Sequence, residues 1–172
     1  GQPAKVFEAP DGFVFHHLNA WEKNEEIIID SIHYPDFPEV GPQDDFMTMD
    51  FAQIPAGILS RCQINTSNQQ VKTTRFSEQC CEFAMTNPQQ QGIEARYSWM
   101  ATAEQKQGYA PLQAIKKLDL ISSEQSIWTA APRGFVSEPL MIPKPGSNIE
   151  DEGWVIFLIW NGNRNGTDLV IL

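Results

Sequence analysis

The chain has 172 residues, 41% hydrophobic and 20% charged, enough for one globular domain with a buried core. Acidic residues number 22 against 12 basic, a net charge of −10 spread along the chain. That balance excludes a nucleic-acid groove or an anionic membrane surface as the main partner. The longest apolar run, "VIFLIW" at 155–160, is far too short to span a bilayer, and no charged-then-apolar signal segment opens the chain. Cys62, Cys80 and Cys81 are odd in number and lack CxxC spacing, which suggests neither a disulfide framework nor a zinc site. A reducing cytoplasm is the simplest setting. Asn65-Thr66-Ser67 and Asn165-Gly166-Thr167 fit the glycosylation pattern, a triplet common by chance.

Strand signals dominate in chain order. "FVFHHLNAW" (13–21) and "IIIDSIHY" (27–34) flank a charged turn and read as a hairpin. "DDFMTMDFAQI" (44–54) is the best candidate for a short helical or irregular segment. "GILSRCQINT" and "VKTTRF" form a second hairpin around "SNQQ", followed by the strands "ARYSWMATA", "LQAIKKLDL" and "SIWTAA". "GWVIFLIW" and "LVIL" close a last hairpin across "NGNRNGTD", whose two Asn-Gly pairs supply the positive φ of a tight turn. Prolines (12) and glycines (11) punctuate the runs, and no long stretch has helical periodicity. The pattern predicts an all-β fold: a sandwich, a barrel or propeller blades. A first residue other than Met, and an apolar edge at "LVIL", lead us to expect a piece of a larger sheet protein.

The adjacent histidines in the first strand are the oddest feature. Strand alternation sets Phe13, Phe15, His17, Asn19 and Trp21 on one face, and Val14, His16, Leu18, Ala20 and Glu22 on the other. At most one histidine can therefore face a given site, with His17 expected near Trp21. A pair of hydrogen-bonded structural histidines and a metal ligand are both compatible with the pattern, and no HxxxH spacing decides between them. His33 ends the second strand and is expected to face solvent. Glu82 lies among sulfur and aromatic neighbours in "CCEFAMTNP", and Glu138 sits before a proline in "FVSEPLMIPKPG"; each alone reads as a turn residue or a structural acceptor. The acidic run 150–152 reads as solvated structure.

Taken together, "FHHLNAWE", "CCEF", "SEP" and "EDEGW", in this order and spacing, closely resemble the carotenoid cleavage oxygenase family over residues 13–172. The resemblance implies a seven-bladed β-propeller, of which this chain would form roughly three blades as one partial domain over 1–172, truncated at both ends. It implies an Fe(II) dioxygenase with four histidine ligands, cleaving a conjugated double bond of a carotenoid or apocarotenoid with O2 to carbonyl products. His16 matches the ligand position, Glu82 the glutamate accepting a hydrogen bond from that ligand, and Glu138 a buried glutamate serving another ligand. One of four ligands falls in this chain, so the isolated chain is expected to be inactive. A cytoplasmic location follows, with any peripheral membrane contact made by parts of the parent outside this chain. The competing readings are a non-catalytic propeller that binds partners through its loops, and a cupin-like metal barrel using His17 and Glu22, which lacks HxH spacing.

Overall fold

Among the described residues, short alternating runs and tight turns build twelve strands in three antiparallel four-stranded sheets. This computed structural model describes residues 1, 3–39, 41, 45, 48, 50–104 and 111–172. The first sheet orders β1 (Phe13–Lys23), β2 (Glu26–Tyr34), β3 (Ile58–Asn65) and β4 (Val71–Arg75). The second orders β5 (Cys81–Met85), β6 (Tyr97–Thr102), β7 (Ala114–Asp119) and β8 (Gln125–Thr129). In the third, β10 (Leu140–Pro143), β11 (Gly153–Asn161) and β12 (Gly166–Ile171) follow in order, and β9 (Gly134–Val136) also pairs with β11. Three such sheets agree with the all-β fold expected from the strand pattern and with the roughly three blades that the resemblance implies.

Three strands lie beyond the sequence expectation: β5, β9 and β10, all short and without clear alternation. Of the segment 44–54, Phe51–Gln53 forms one 3-10 turn capped by the Asp50 side chain, while residues 44, 46, 47 and 49 lie outside the described residues. The β1–β2 turn sets Asn24 and Glu25 at φ 51° and 64°, the doubly positive pattern that matches strand twist in a two-residue hairpin. In the last hairpin the positive φ falls on Asn165 (51°). Gly162 serves there by size instead: a Cβ would lie 2.9 Å from the Arg133 carbonyl oxygen.

Two cores join the sheets. Leu18, Ile32, Tyr34 and Leu59 of the first sheet pack against Cys81, Met100 and Leu118 of the second. Trp99, Ala101 and Ile115 of the second pack against Met141, Val155 and Phe157 of the third. Strand alternation in β6 and β7 thus feeds both cores, and the second sheet is buried on both faces. At the far end of the first sheet, Arg61 makes two hydrogen bonds to buried Asp30 (2.8 and 2.9 Å) between the rings of Trp21 and Phe76. Burial still raises the Asp30 pKa, outweighing the lowering by Arg61.

Lys116 shares the face of Leu118 and is fully buried (0% exposed). Its ammonium reaches Ser77 Oγ and Gln79 Oε1, each at 3.4 Å, and it makes no ion pair among the described residues. Burial lowers its pKa from the ordinary lysine value. The folded state therefore binds fewer protons than the unfolded chain in the alkaline range, and stability rises with pH from the lowered value up to the ordinary one. Lys116→Met is expected to stabilise the chain near neutral pH by about 1–3 kcal/mol and to remove that alkaline rise. Denaturant titrations at neutral and alkaline pH check both; a less stable variant would show that the two long hydrogen bonds outweigh the burial.

The third sheet is apolar on its outer face as well, where Trp154, Leu158, Trp160, Leu169 and Ile171 are all exposed. A contiguous face of this kind drives association in water. Leu158 and Leu169 are cross-strand partners. Changing both to lysine is expected to shift sedimentation of this chain from associated species toward monomer, with the far-ultraviolet spectrum of a β protein retained.

Candidate functional site

Two irregularities in β1 decide where its histidines point. Val14 pairs with His33 and His17 with Ser31, so Phe15 and His16 together oppose the single residue Ile32. His17 and Asn19 then oppose the consecutive residues Ser31 and Asp30, which leaves Leu18 as a second extra residue. Each bulge reverses the faces of the residues after it. Asn19 and Trp21 lie opposite Asp30 and Ile28, on the face turned to the second sheet, whereas His17 lies opposite Ser31 on the other face. His17 is thus across the sheet from Trp21, contrary to the strict alternation expected. Its Nδ1 bonds Ser31 Oγ at 2.7 Å. His33 is half-buried, with its ring edge against Gly12, and not solvent-facing as expected.

A third bulge, in β5, sets the partner of His16. Glu82 pairs with Ala101 but Met85 with Trp99, one residue too many on the β5 side. Phe83 absorbs the excess at φ 55°, a conformation that costs a non-glycine residue of order 1–3 kcal/mol. The bulge brings the Glu82 carboxylate to His16 Nδ1 at 2.6 Å. The Phe83 backbone N–H donates to the same oxygen, Oε2, at 2.8 Å. The Tyr34 hydroxyl donates to Oε1 at 2.8 Å. Three donors converge on a side chain that is only 9% exposed as a residue, which is how a buried carboxylate is tolerated.

Since a carboxylate only accepts, the neutral His16 ring carries its proton on Nδ1 and leaves the Nε2 lone pair free. Nε2 has no partner among the described residues, and the His16 side chain is 46% exposed. The Phe83 ring lies 5.2 Å from the imidazole. Beside it Phe13, Phe15 and Phe37 form an exposed edge-to-face cluster, with centroids 4.7 and 4.9 Å apart for Phe13 to Phe15 and Phe13 to Phe37. An imidazole with a fixed tautomer and an open nitrogen is the form that ligates a transition metal. No group of three metal-binding side chains exists among the described residues. Cys80 and Cys81 do not add to His16 as donors: burial pushes their thiols to about 11 and about 12, far from a reactive thiolate.

The neighbouring blocks of the motif have structural tasks. Asn19 is buried and uses its whole amide: Nδ2 donates to the carbonyls of Gln90 (3.0 Å) and Ile93 (2.8 Å), and Oδ1 accepts from the N–H groups of Ala20 (2.9 Å) and Gly92 (3.0 Å). It ties the histidine strand to the β5–β6 connection. The acidic run differs from the solvated segment expected. Glu150 accepts from the backbone N–H groups of Arg96 and Tyr97, Asp151 pairs with Lys117, and Glu152 with Lys144. The first two of these contacts staple the third sheet to the second.

Glu138 lies between β9 and β10, exposed, and its carboxylate meets no partner among the described residues. This differs from the buried place that the resemblance implies for it. Pro139, next to it, takes the inward position and is buried, which turns Glu138 outward. Sequence reasoning misses Tyr34 as the second donor to Glu82; its only signal is a tyrosine ending a strand in register with Phe13.

Comparison with known proteins points the same way. The sequence model of a family described as "Retinal pigment epithelial membrane protein" matches residues 1–172. The chain is 42% identical, over its full length, to the apocarotenoid-15,15'-oxygenase of Synechocystis, and spans 35% of that protein. It is 25% identical to the carotenoid 9,10(9',10')-cleavage dioxygenase 1 of Pisum sativum, with 91% of the chain and 31% of that protein covered. It is 24% identical to an isoeugenol monooxygenase of Pseudomonas putida, with 100% of the chain and 38% of that protein covered. The crystal structure of cobalt-substituted Synechocystis ACO superposes with a TM-score of 0.95 at 41% identity, covering all of this chain and 36% of that one. The chain thus spans about a third of the length of the relatives it matches.

Asn19→Ala removes four part-buried hydrogen bonds and leaves two carbonyls and two N–H groups in need of new partners. A loss of about 2–4 kcal/mol in unfolding free energy is expected. A loss under about 1 kcal/mol in a denaturant titration would mean that the clamp carries little of the join between the first two sheets.

Proposed function

Because the chain belongs to the retinal pigment epithelial membrane protein family, we propose that it is a section of a non-haem Fe(II) dioxygenase. The substrate of the parent protein is a carotenoid or apocarotenoid, cleaved by O2 at a conjugated double bond to two carbonyl fragments. Oxygenases acting on such substrates are among the relatives of the chain. The observation that carries the reading is the 2.6 Å contact between His16 Nδ1 and Glu82, which fixes the ring and leaves Nε2 open.

In this reading His16 contributes one of four imidazole ligands through Nε2. Bound Fe(II) supplies the centre at which O2 is activated for attack on the double bond. Glu82 holds the proton on Nδ1 and so keeps the opposite nitrogen directed at the metal. Glu138 has the corresponding task for a histidine outside this chain. Phe13, Phe15 and Phe37 offer an apolar surface next to His16, suited to a conjugated hydrocarbon and poor for water. The parent resides in the cytoplasm and reaches its apolar substrate by peripheral contact with a membrane, through segments outside this chain.

Metal analysis and an oxygen-dependent assay for aldehyde products, run on the full-length protein and on this chain, test the proposal. The full-length protein is expected to hold one Fe(II) and to lose activity on His16→Ala. Glu82→Ala should weaken metal affinity or activity by about 10–100-fold. The 172-residue chain alone should neither hold iron nor turn over substrate, since it contains three histidines, of which one occupies a ligand position. A full-length protein that binds no metal would favour a non-catalytic propeller that recognises partners through its loops.

A further inference from the structure

We propose that Tyr34 is a positioning residue for the metal centre: its hydroxyl sets the plane of the Glu82 carboxylate, which in turn fixes the tautomer and direction of His16. This rests on the oxygenase reading for its metal, though not for its geometry. Both oxygens of Glu82 have a donor, but unequally. Oε2 serves the His16 ring and the Phe83 N–H, whereas Oε1 has the Tyr34 hydroxyl at 2.8 Å. The terminal torsion of a glutamate is broad and roughly two-fold, so backbone packing alone does not choose its plane. With the hydroxyl removed, Oε1 has no donor in its buried setting, and the carboxylate turns or draws in water. Either change loosens the acceptor that holds the proton on His16 Nδ1.

Tyr34 is itself held in place. It is buried, and the Phe15 ring meets it edge-on at 5.4 Å. On its other side, Gly57 leaves the space the phenol needs: a Cβ there would lie 2.5 Å from Tyr34 Cζ and 2.7 Å from the hydroxyl oxygen. The carbonyl of Gly57 also accepts the Cys81 N–H at 2.9 Å, one residue before Glu82. A single glycine therefore clears the phenol and tethers the strand of its acceptor. Burial and the adjacent Glu82 raise the phenol above its ordinary pKa, so it remains a donor at every working pH.

The test uses the full-length protein and the variants Tyr34→Phe and Gly57→Ala. Ring nitrogen shifts of His16 in the metal-free, 15N-labelled protein report the tautomer, and calorimetry with Co2+ alone, chosen for its stability to air, reports affinity. Wild type is expected to show mostly the Nδ1–H form. Tyr34→Phe, which keeps the ring and its packing, should give a mixture of tautomers and bind Co2+ about 3–10-fold more weakly, somewhat less than loss of the direct partner Glu82. Gly57→Ala should follow the same direction with Tyr34 intact; if it does not fold, Tyr34→Phe decides alone. An unchanged tautomer and unchanged affinity in Tyr34→Phe, or a lowered melting temperature as its sole effect, overturns the proposal. A wild-type protein that binds no Co2+ overturns the oxygenase reading instead, while the tautomer measurement still decides the role of Tyr34.

Discussion

A carboxylate buried between two sheets must have its lone pairs met, and at Glu82 the donors come from β1, β2 and β5 itself. No two of them can be supplied by one regular strand. The first and second sheets must therefore meet in one register, with the histidine end of β1 against the start of β5. The surrounding core obeys that demand: Leu18, Ile32 and Leu59 meet Cys81 and Met100 beneath the site. The apolar contacts supply most of the free energy of joining the sheets, because they are numerous and non-directional. The hydrogen bonds choose among the ways in which such apolar faces could slide past each other.

The same division holds away from the site. The second sheet is apolar on both faces and would pack in several registers, but polar fixtures reach across each seam. Asn19 spans the seam between the first and second sheets with three hydrogen bonds, to Gln90, Gly92 and Ile93. Glu150 and Asp151 cross the seam between the second and third. Lys116 is the exception: among the described residues its burial is matched by two 3.4 Å contacts, a weak return for removing an ammonium from water.

Strand content is legible in the sequence because alternation and turn residues are local signals, and the hairpins β1–β2, β3–β4 and β11–β12 fall where those signals lie. β9 and β10, of three and four residues, are too short to show a period. β5 is broken by its bulge. The bulges themselves depend on the count of residues in the partner strand, which no pattern within one strand can reveal. For that reason alternation puts His17 beside Trp21, whereas the structure has it on the opposite face. The pairing of His16 with Glu82, 66 residues apart, is legible from family resemblance and not from periodicity. Tyr34 has no such guide, because a tyrosine ending a strand is ordinarily a core residue with a hydroxyl at the surface. The acidic run shows the converse error, where residue type suggests solvation that neighbouring packing reverses. Glu138 is exposed, as its place before a proline suggests, and its expected burial rests on the resemblance alone.

Phe83 links the strained and the functional features of the site into one. Its φ of 55° lies in a region that a β-carbon disfavours, and the residue is aromatic, so nothing in its own chemistry explains the conformation. The same peptide N–H donates to Oε2 of the preceding side chain at 2.8 Å, a contact that an extended strand would have spent on its ladder neighbour. The turned backbone also carries the Phe83 ring to 5.2 Å from His16. Strain, third donor and aromatic wall are thus consequences of a single inserted residue. A regular β5 would relieve the strain but withdraw a donor from Glu82 and move the carboxylate off the β1 side. The bulge persists because a buried carboxylate short of a donor costs about as much as the strain it would relieve.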